Sequence, residues 1–186
     1  MIIPVAGFDP AFANWGIAEG KLNLDTGVLD GVGLSIVQTK KGKNKQVRTN
    51  SDDMQRAEDI SSEVFAVGKR NKVIFVECPV GSQNASGMKA YGVSVGLLGA
   101  LRSQGYQVIE VTAYEVKKAL TGNKNASKEL MIQTAIALYP DANWPTKGGE
   151  IIAGKAEHMA DAIGAIHAGV VTPTFQQLMT LLKKVQ

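Results

Sequence analysis

Apolar and polar positions follow two rhythms along the chain. Ile2 to Phe8 is an apolar run of strand length that stops at Asp9-Pro10, where the proline denies the ladder a donor. Asp9 therefore stands at the mouth of a buried strand. Trp15 to Leu22 and Gly27 to Gln38 read as two more strands, joined through the turn residues Asn23-Leu24-Asp25-Thr26-Gly27, and the three are expected to form an antiparallel meander. Lys40 to Arg48 breaks the pattern as a basic loop, with Lys40, Lys41, Lys43, Lys45 and Arg48 around Gly42 and Asn44.

From there the period changes to that of helices. Ser51-Asp52-Asp53 supplies cap residues for a helix running to about Arg70, with Met54, Ala57, Ile60, Val64 and Val67 on one face. Val73 to Val76 is continuously apolar, as a strand buried on both faces should be, and it ends at Glu77-Cys78-Pro79 as the first strand ends at Asp9-Pro10. Ala85 to Arg102 reads as a helix whose Gly92, Ser94, Gly96 and Gly99 admit close approach of another backbone, that of a second copy in tight two-fold packing over Ala85 to Leu101 or, as the simpler use, that of the chain's own sheet. Gln107 to Val111 is a short strand, and Thr112 to Leu120 and Ser127 to Tyr139 are helices about the Gly122-Asn123-Lys124-Asn125 turn. Pro140 to Gly154 is a loop carrying Trp144; Lys155 to about Val170 is a helix holding His158 and Asp161. After Pro173, the stretch Thr174 to Val185 places Phe175, Leu178, Leu181, Leu182 and Val185 on one face.

This order predicts one α/β domain over residues 1–186 with a mixed sheet. Composition narrows the class further. The 20 Lys+Arg against 17 Asp+Glu give a net charge of +3, which excludes a polycationic tail protein, and 45% hydrophobic residues suffice for a real core. Cys78 is the only cysteine, so a disulfide scaffold is excluded. No signal-like leader and no long apolar span is seen, which sets the expectation of a cytoplasmic protein, or of the host cytoplasm for a phage-encoded one.

The chemistry lies in the carboxylates. A charged group at the end of an apolar strand is costly unless something compensates it, and Asp9 and Glu77 repeat that arrangement. If their strands are neighbours, both carboxylates meet at one edge of the sheet and a divalent cation is the natural compensation. His158 and Asp161, three apart on a helix, share a face and stand among the small or apolar Ala156, Ala160, Ala162, Ile163 and Ala165. Oxygen donors with one imidazole suit Mg²⁺ or Mn²⁺ rather than structural zinc. A lone Asp-Pro is usually only a turn and a lone His-x-x-Asp only a surface pair; it is their combination that is specific.

Gly7-Phe8-Asp9-Pro10, Trp15-Gly16-Ile17-Ala18, Val76-Glu77, Val116-Lys117 and Ala160-Asp161-Ala162 together resemble the RuvC Holliday-junction resolvases of the RNase H-like superfamily, in order over roughly residues 3 to 170. The resemblance implies a five-stranded mixed sheet, three antiparallel strands then two parallel, with helices on both faces. It implies a homodimeric nuclease that nicks two opposing strands of a four-way DNA junction symmetrically, using Mg²⁺ with Mn²⁺ as substitute. Asp9, Glu77 and Asp161 match the family's acidic positions, and His158 falls where some members carry aspartate and others histidine, as a ligand or as a water-orienting group. Phosphodiester hydrolysis needs an activated water, a stabilised leaving alkoxide and a neutralised phosphate, which two cations roughly 4 Å apart supply.

Lys117 and Lys128 match lysine positions of the family, and Lys124 and Lys89 join them as DNA-contact candidates. The chain departs from the family after Glu77: where an aromatic or bulky residue is common, it has Cys78-Pro79-Val80-Gly81-Ser82-Gln83-Asn84. Three other readings compete: a nuclease for flaps, forks or RNA/DNA hybrids, a non-cleaving branched-DNA binding module, and an actin-like ATPase. The ATPase lacks its second lobe and second phosphate loop here; the binding module would be expected to lose its acids. The residues identify no helicase partner.

Overall fold

The computed structural model describes residues 1–42 and 48–184, with side chains described to residue 181. Lys43, Asn44 and Lys45 of the basic loop, and Leu182 and Val185 of the last apolar stripe, lie outside the described side chains.

Strands β1 (Ile2–Asp9), β2 (Asn14–Asn23) and β3 (Leu29–Gln38) form the expected meander. Helix α1 (Thr49–Arg70) leads to β4 (Val73–Glu77), α2 (Ala85–Ser103), β5 (Val108–Val111), α3 (Ala113–Thr121) and α4 (Lys128–Leu138). A hairpin of β6 (Thr146–Lys147) and β7 (Glu150–Ile151) precedes α5 (Ala153–Gly169) and α6 (Pro173–Lys184). The five-stranded sheet has the order β3-β2-β1-β4-β5, antiparallel between β1, β2 and β3 and parallel from β1 through β4 to β5. Among the described residues no helix is long and apolar enough to cross a membrane.

Alternation along the strands divides the core into two layers. Phe8, Trp15, Ile17, Ile74 and Val76 face α1 and α2, whose Ile60, Val64, Val67, Leu98 and Leu101 cover them. Val5, Ala18, Val73, Phe75 and Ile109 face the opposite layer, with Met131 of α4, Ile163 and Ile166 of α5 and Phe175 of α6. Period-2 geometry then assigns Gly7 and Asp9 of β1, Gly16 of β2 and Glu77 of β4 to the α5 side. The helices are capped by local chemistry: Thr112 and Glu115 form a reciprocal capping box on α3, Asn84 accepts from Gly87 N–H on α2, and Ser127 accepts from Leu130 N–H on α4.

Four expectations are corrected. Helix α1 begins at Thr49 without a side-chain cap, two residues before Ser51-Asp52-Asp53; Asp52 instead accepts from Gly42 N–H at 2.8 Å, and Asp53 pairs with Arg56 and Lys89. The Pro140 to Gly154 connection is not simply a loop, because Gly148 and Gly149, at φ +62° and +86°, turn a hairpin within it. The glycines of α2 do not serve packing on the sheet: a Cβ at Gly92, Gly96 or Gly99 would meet nothing within 4 Å. In α6, Phe175 is buried with its ring 5.2 Å from that of Phe75, whereas Leu181 is 62% exposed, so only part of the apolar stripe docks on the body.

Candidate active site

Parallel pairing of Phe8 with Val76 brings the next residues, Asp9 and Glu77, side by side at one end of the central strands. Helix α5 supplies the other two groups because it lies almost on the sheet backbone. A Cβ on Gly7 would stand 1.9 Å from the Ala162 carbonyl oxygen, and one on Gly16 would stand 2.2 Å from that of His158. Only glycine permits this approach. It sets the imidazole of His158 over Asp9, whose Oδ2 accepts from Nδ1–H at 2.5 Å. One turn further along, Asp161 is near enough to push Glu77 up and to be pushed up itself by Asp9.

Burial and repulsion together make it costly for all the carboxylates of this cluster to be charged at once. Desolvation first, then the charges of Asp9 and Asp161, push Glu77 up from 4.5 to about 8. Desolvation and Asp9 push Asp161 up from 3.8 to about 7, against the pull of His158 and Lys117. His158 is itself raised, chiefly by its hydrogen bond to Asp9, against its own burial. No three His, Cys, Asp or Glu side chains among the described residues yet enclose a point where one ion would sit. The donor set nonetheless fits a hard divalent cation, since it offers carboxylate oxygens and one imidazole from largely buried side chains whose mutual repulsion a cation would relieve.

The lysines fall in different settings. Lys117, half-buried on α3, is near enough to lower both Glu77 and Asp161. Lys128, at the first turn of α4, is 70% exposed and holds Glu157 Oε2 at 3.0 Å, within the field of Asp161 and Asp9. Lys124 is exposed in the α3–α4 connection. Lys89 lies on the second layer, paired with Asp53 Oδ2 at 2.7 Å. Sequence reasoning passed over Glu157, whose Oε1 stands 3.6 Å from His158 Nε2. Its signal was adjacency to His158 and a position three residues after Gly154 on the same helix, which nothing in the pattern distinguished from an ordinary solvated acid.

Two solved structures share this architecture. T. thermophilus RuvC in complex with Holliday junction substrate aligns with a TM-score of 0.64 at 20% identity, over 94% of this chain and 96% of that one. The fold is that of RuvC. Thermus thermophilus RuvC on its own aligns with a TM-score of 0.62, also at 20% identity, over 97% of each chain. No protein-family model matches the chain and no curated protein matches it. The RuvC likeness, an RNase H-like α/β sheet in nearly full-length alignment, thus comes from the three-dimensional arrangement rather than from overall sequence similarity.

Proposed function

We propose that the protein is a divalent-metal-dependent endonuclease that resolves four-way DNA junctions by paired symmetric nicking. The observation that carries the proposal is the convergence of Asp9, Glu77, Asp161 and His158 at the end of β1 and β4, where burial and repulsion raise Glu77 and Asp161 so far that the acids hold protons a bound cation would displace. A merely structural cluster would be expected to resolve such repulsion with a lysine or arginine in direct contact.

Asp9, Glu77, Asp161 and His158 would hold Mg²⁺, or Mn²⁺ in its place. Bound there, the metal would supply Lewis-acid neutralisation of the scissile phosphate and acidify water into a nucleophile. The chain's own groups do the remainder. His158 fixes the rotamer of Asp9 through the Nδ1 hydrogen bond, so that the carboxylate at the strand end is already oriented. Lys117 places positive charge beside Glu77 and Asp161, where a phosphate oxygen would develop charge. Lys128, Lys124 and Lys89 extend the contact to neighbouring phosphates.

Paired nicking calls for two active sites related by symmetry, and we assign the homodimer contact to the open face of α2. Gly92, Gly96 and Gly99 are uncovered there beside exposed Met88 and Val95, so two copies of the helix could cross closely. Light scattering that returned only monomer at micromolar concentration would remove this part of the proposal. A second substrate class, flaps and forks, is favoured by the loop after β4, where 88%-exposed Val80 stands in a segment without an aromatic side chain for stacking at a crossover.

The decisive test is cleavage of a four-way junction, a flap, plain duplex and an RNA/DNA hybrid in Mg²⁺ and in Mn²⁺. Symmetric nicks confined to the junction are expected. Asp9→Asn should abolish cleavage and leave junction binding intact or tighter, since a carboxylate that repels phosphate is gone. Undiminished cleavage by the purified variant would remove Asp9 from the mechanism.

A further inference from the structure

Two of the lysines placed to meet phosphate are already occupied. Lys128 Nζ holds Glu157 Oε2 at 3.0 Å, and Lys89 Nζ holds Asp53 Oδ2 at 2.7 Å. Each pair joins two helices, α4 to α5 and α2 to α1, and each lies at the active-site end of the sheet. Lys128 is within the field of Asp161 and Asp9. Asp53 is in the second turn of α1, which follows β3, and the end of β3 at Gln38 pairs with Asn14 beside the Asp9 strand end. Lys89 is in the second turn of α2, which follows Glu77. One pair therefore flanks the carboxylates on the α5 layer and the other on the α1–α2 layer.

The acids are better held than the lysines. The side chains of Glu157 and Asp53 are 22% and 18% exposed, whereas those of Lys128 and Lys89 are 70% and 42% exposed. Each acid has a second cationic or imidazole neighbour on its own helix: Asp53 has Arg56 Nη1 at 3.6 Å, and Glu157 has His158 Nε2 at 3.6 Å. The carboxylate is thus the fixed member and the long ammonium arm the movable one.

Resting on the nuclease reading above, we propose that Glu157 and Asp53 are internal stand-ins for backbone phosphate: they hold Lys128 and Lys89 in the free protein, and each lysine exchanges its carboxylate for a phosphate when DNA binds. The exchange makes each phosphate contact cost an existing ion pair, so a plain duplex gains little from touching one lysine, and non-specific binding is held down. Glu157 and Asp53 are then selectivity residues that touch no reacting atom. An exposed pair is worth a few tenths to about 1 kcal/mol, a factor of roughly two to five in affinity.

The test is equilibrium binding of the full-length protein to fluorescent plain duplex and four-way junction in EDTA, over a salt series, for wild type, Glu157→Gln, Lys128→Ala and the double variant, with the Asp53→Asn and Lys89→Ala set in parallel. Thermal melts confirm that each variant folds. Glu157→Gln is expected to tighten duplex binding roughly two- to fivefold and to steepen the slope of log K against log salt toward one further phosphate contact, about 0.9 for duplex DNA. Lys128→Ala should cost more affinity in the Glu157→Gln background than in wild type. Unchanged affinity and slope in Glu157→Gln, or an equal cost of Lys128→Ala in both backgrounds, overturns the exchange while leaving the nuclease reading standing. Failure of the wild type to bind any of these DNAs overturns both.

Discussion

Replacing Glu77 by glutamine should stabilise the metal-free protein at alkaline pH while removing its response to metal. Glu77 is raised from 4.5 to about 8, so its folded-state value lies above its unfolded one. Its contribution to stability is therefore complete below pH 4.5 and is lost as pH rises through about 8. At 1.36 kcal/mol per unit the full shift corresponds to about 5 kcal/mol, and near pH 8, with the folded group half-titrated, to about 4. Part of that is repulsion shared with Asp9 and Asp161, and an amide still bears the cost of polar burial, so about 1–3 kcal/mol is recoverable by Glu77→Gln. In a chain of this size that is a rise of roughly 2–10 °C in Tm. Melts in EDTA at pH 5 and pH 8 measure it, and the gain should appear at pH 8 and shrink at pH 5. Added Mg²⁺ should raise the Tm of wild type and leave the variant nearly unmoved. An equal gain at both pH values would show that packing, not charge, is responsible, and no gain at pH 8 would refute the buried-charge reading of the site.

Gly7→Ala and Gly16→Ala, whose added methyls would stand 1.9 and 2.2 Å from main-chain carbonyls of α5, should each cost about 3 kcal/mol or more in urea unfolding, whereas Gly33→Ala, which meets nothing within 4 Å, should be near neutral. His167 is lowered from 6.5 by burial, so the folded protein resists its protonation. Stability should fall as pH drops through 6.5, and His167→Gln should flatten that dependence in pH-resolved melts. Tyr139→Phe removes the hydroxyl 2.7 Å from His167 Nε2 and should cost about 1 kcal/mol, with no effect on cleavage if the pair is structural only.

Elements with a clean period were legible in the sequence. The apolar runs ending at Asp9 and Glu77 told both the strands and the place where their carboxylates meet, because a buried parallel strand has no polar positions to confuse its boundaries. The helix carrying His158 and Asp161 was legible from its small residues. What the pattern left open depends on partners distant in sequence. The start of α1 was misplaced because Asp52 and Asp53 look like caps but are drawn to Gly42, Arg56 and Lys89. The β6–β7 hairpin has only two residues per strand, too few to show alternation. Glu157 was invisible because its meaning lies in Lys128, on another helix.

The glycines connect packing to chemistry. Without Gly7 and Gly16, α5 would stand further from the sheet, the gap would admit water, and the burial that raises Glu77 and Asp161 would weaken together with the His158–Asp9 hydrogen bond. The same close approach that fills the core thus sets the electrostatic demand of the site. Folding alone would relax that demand by spacing the acids apart or by burying a cation among them. The chain keeps it at a sheet end flanked by Lys117, Lys128 and Lys89, and under the proposed nuclease reading that pairing of acids for metal with lysines for phosphate is how a net charge of only +3 would serve a nucleic-acid partner.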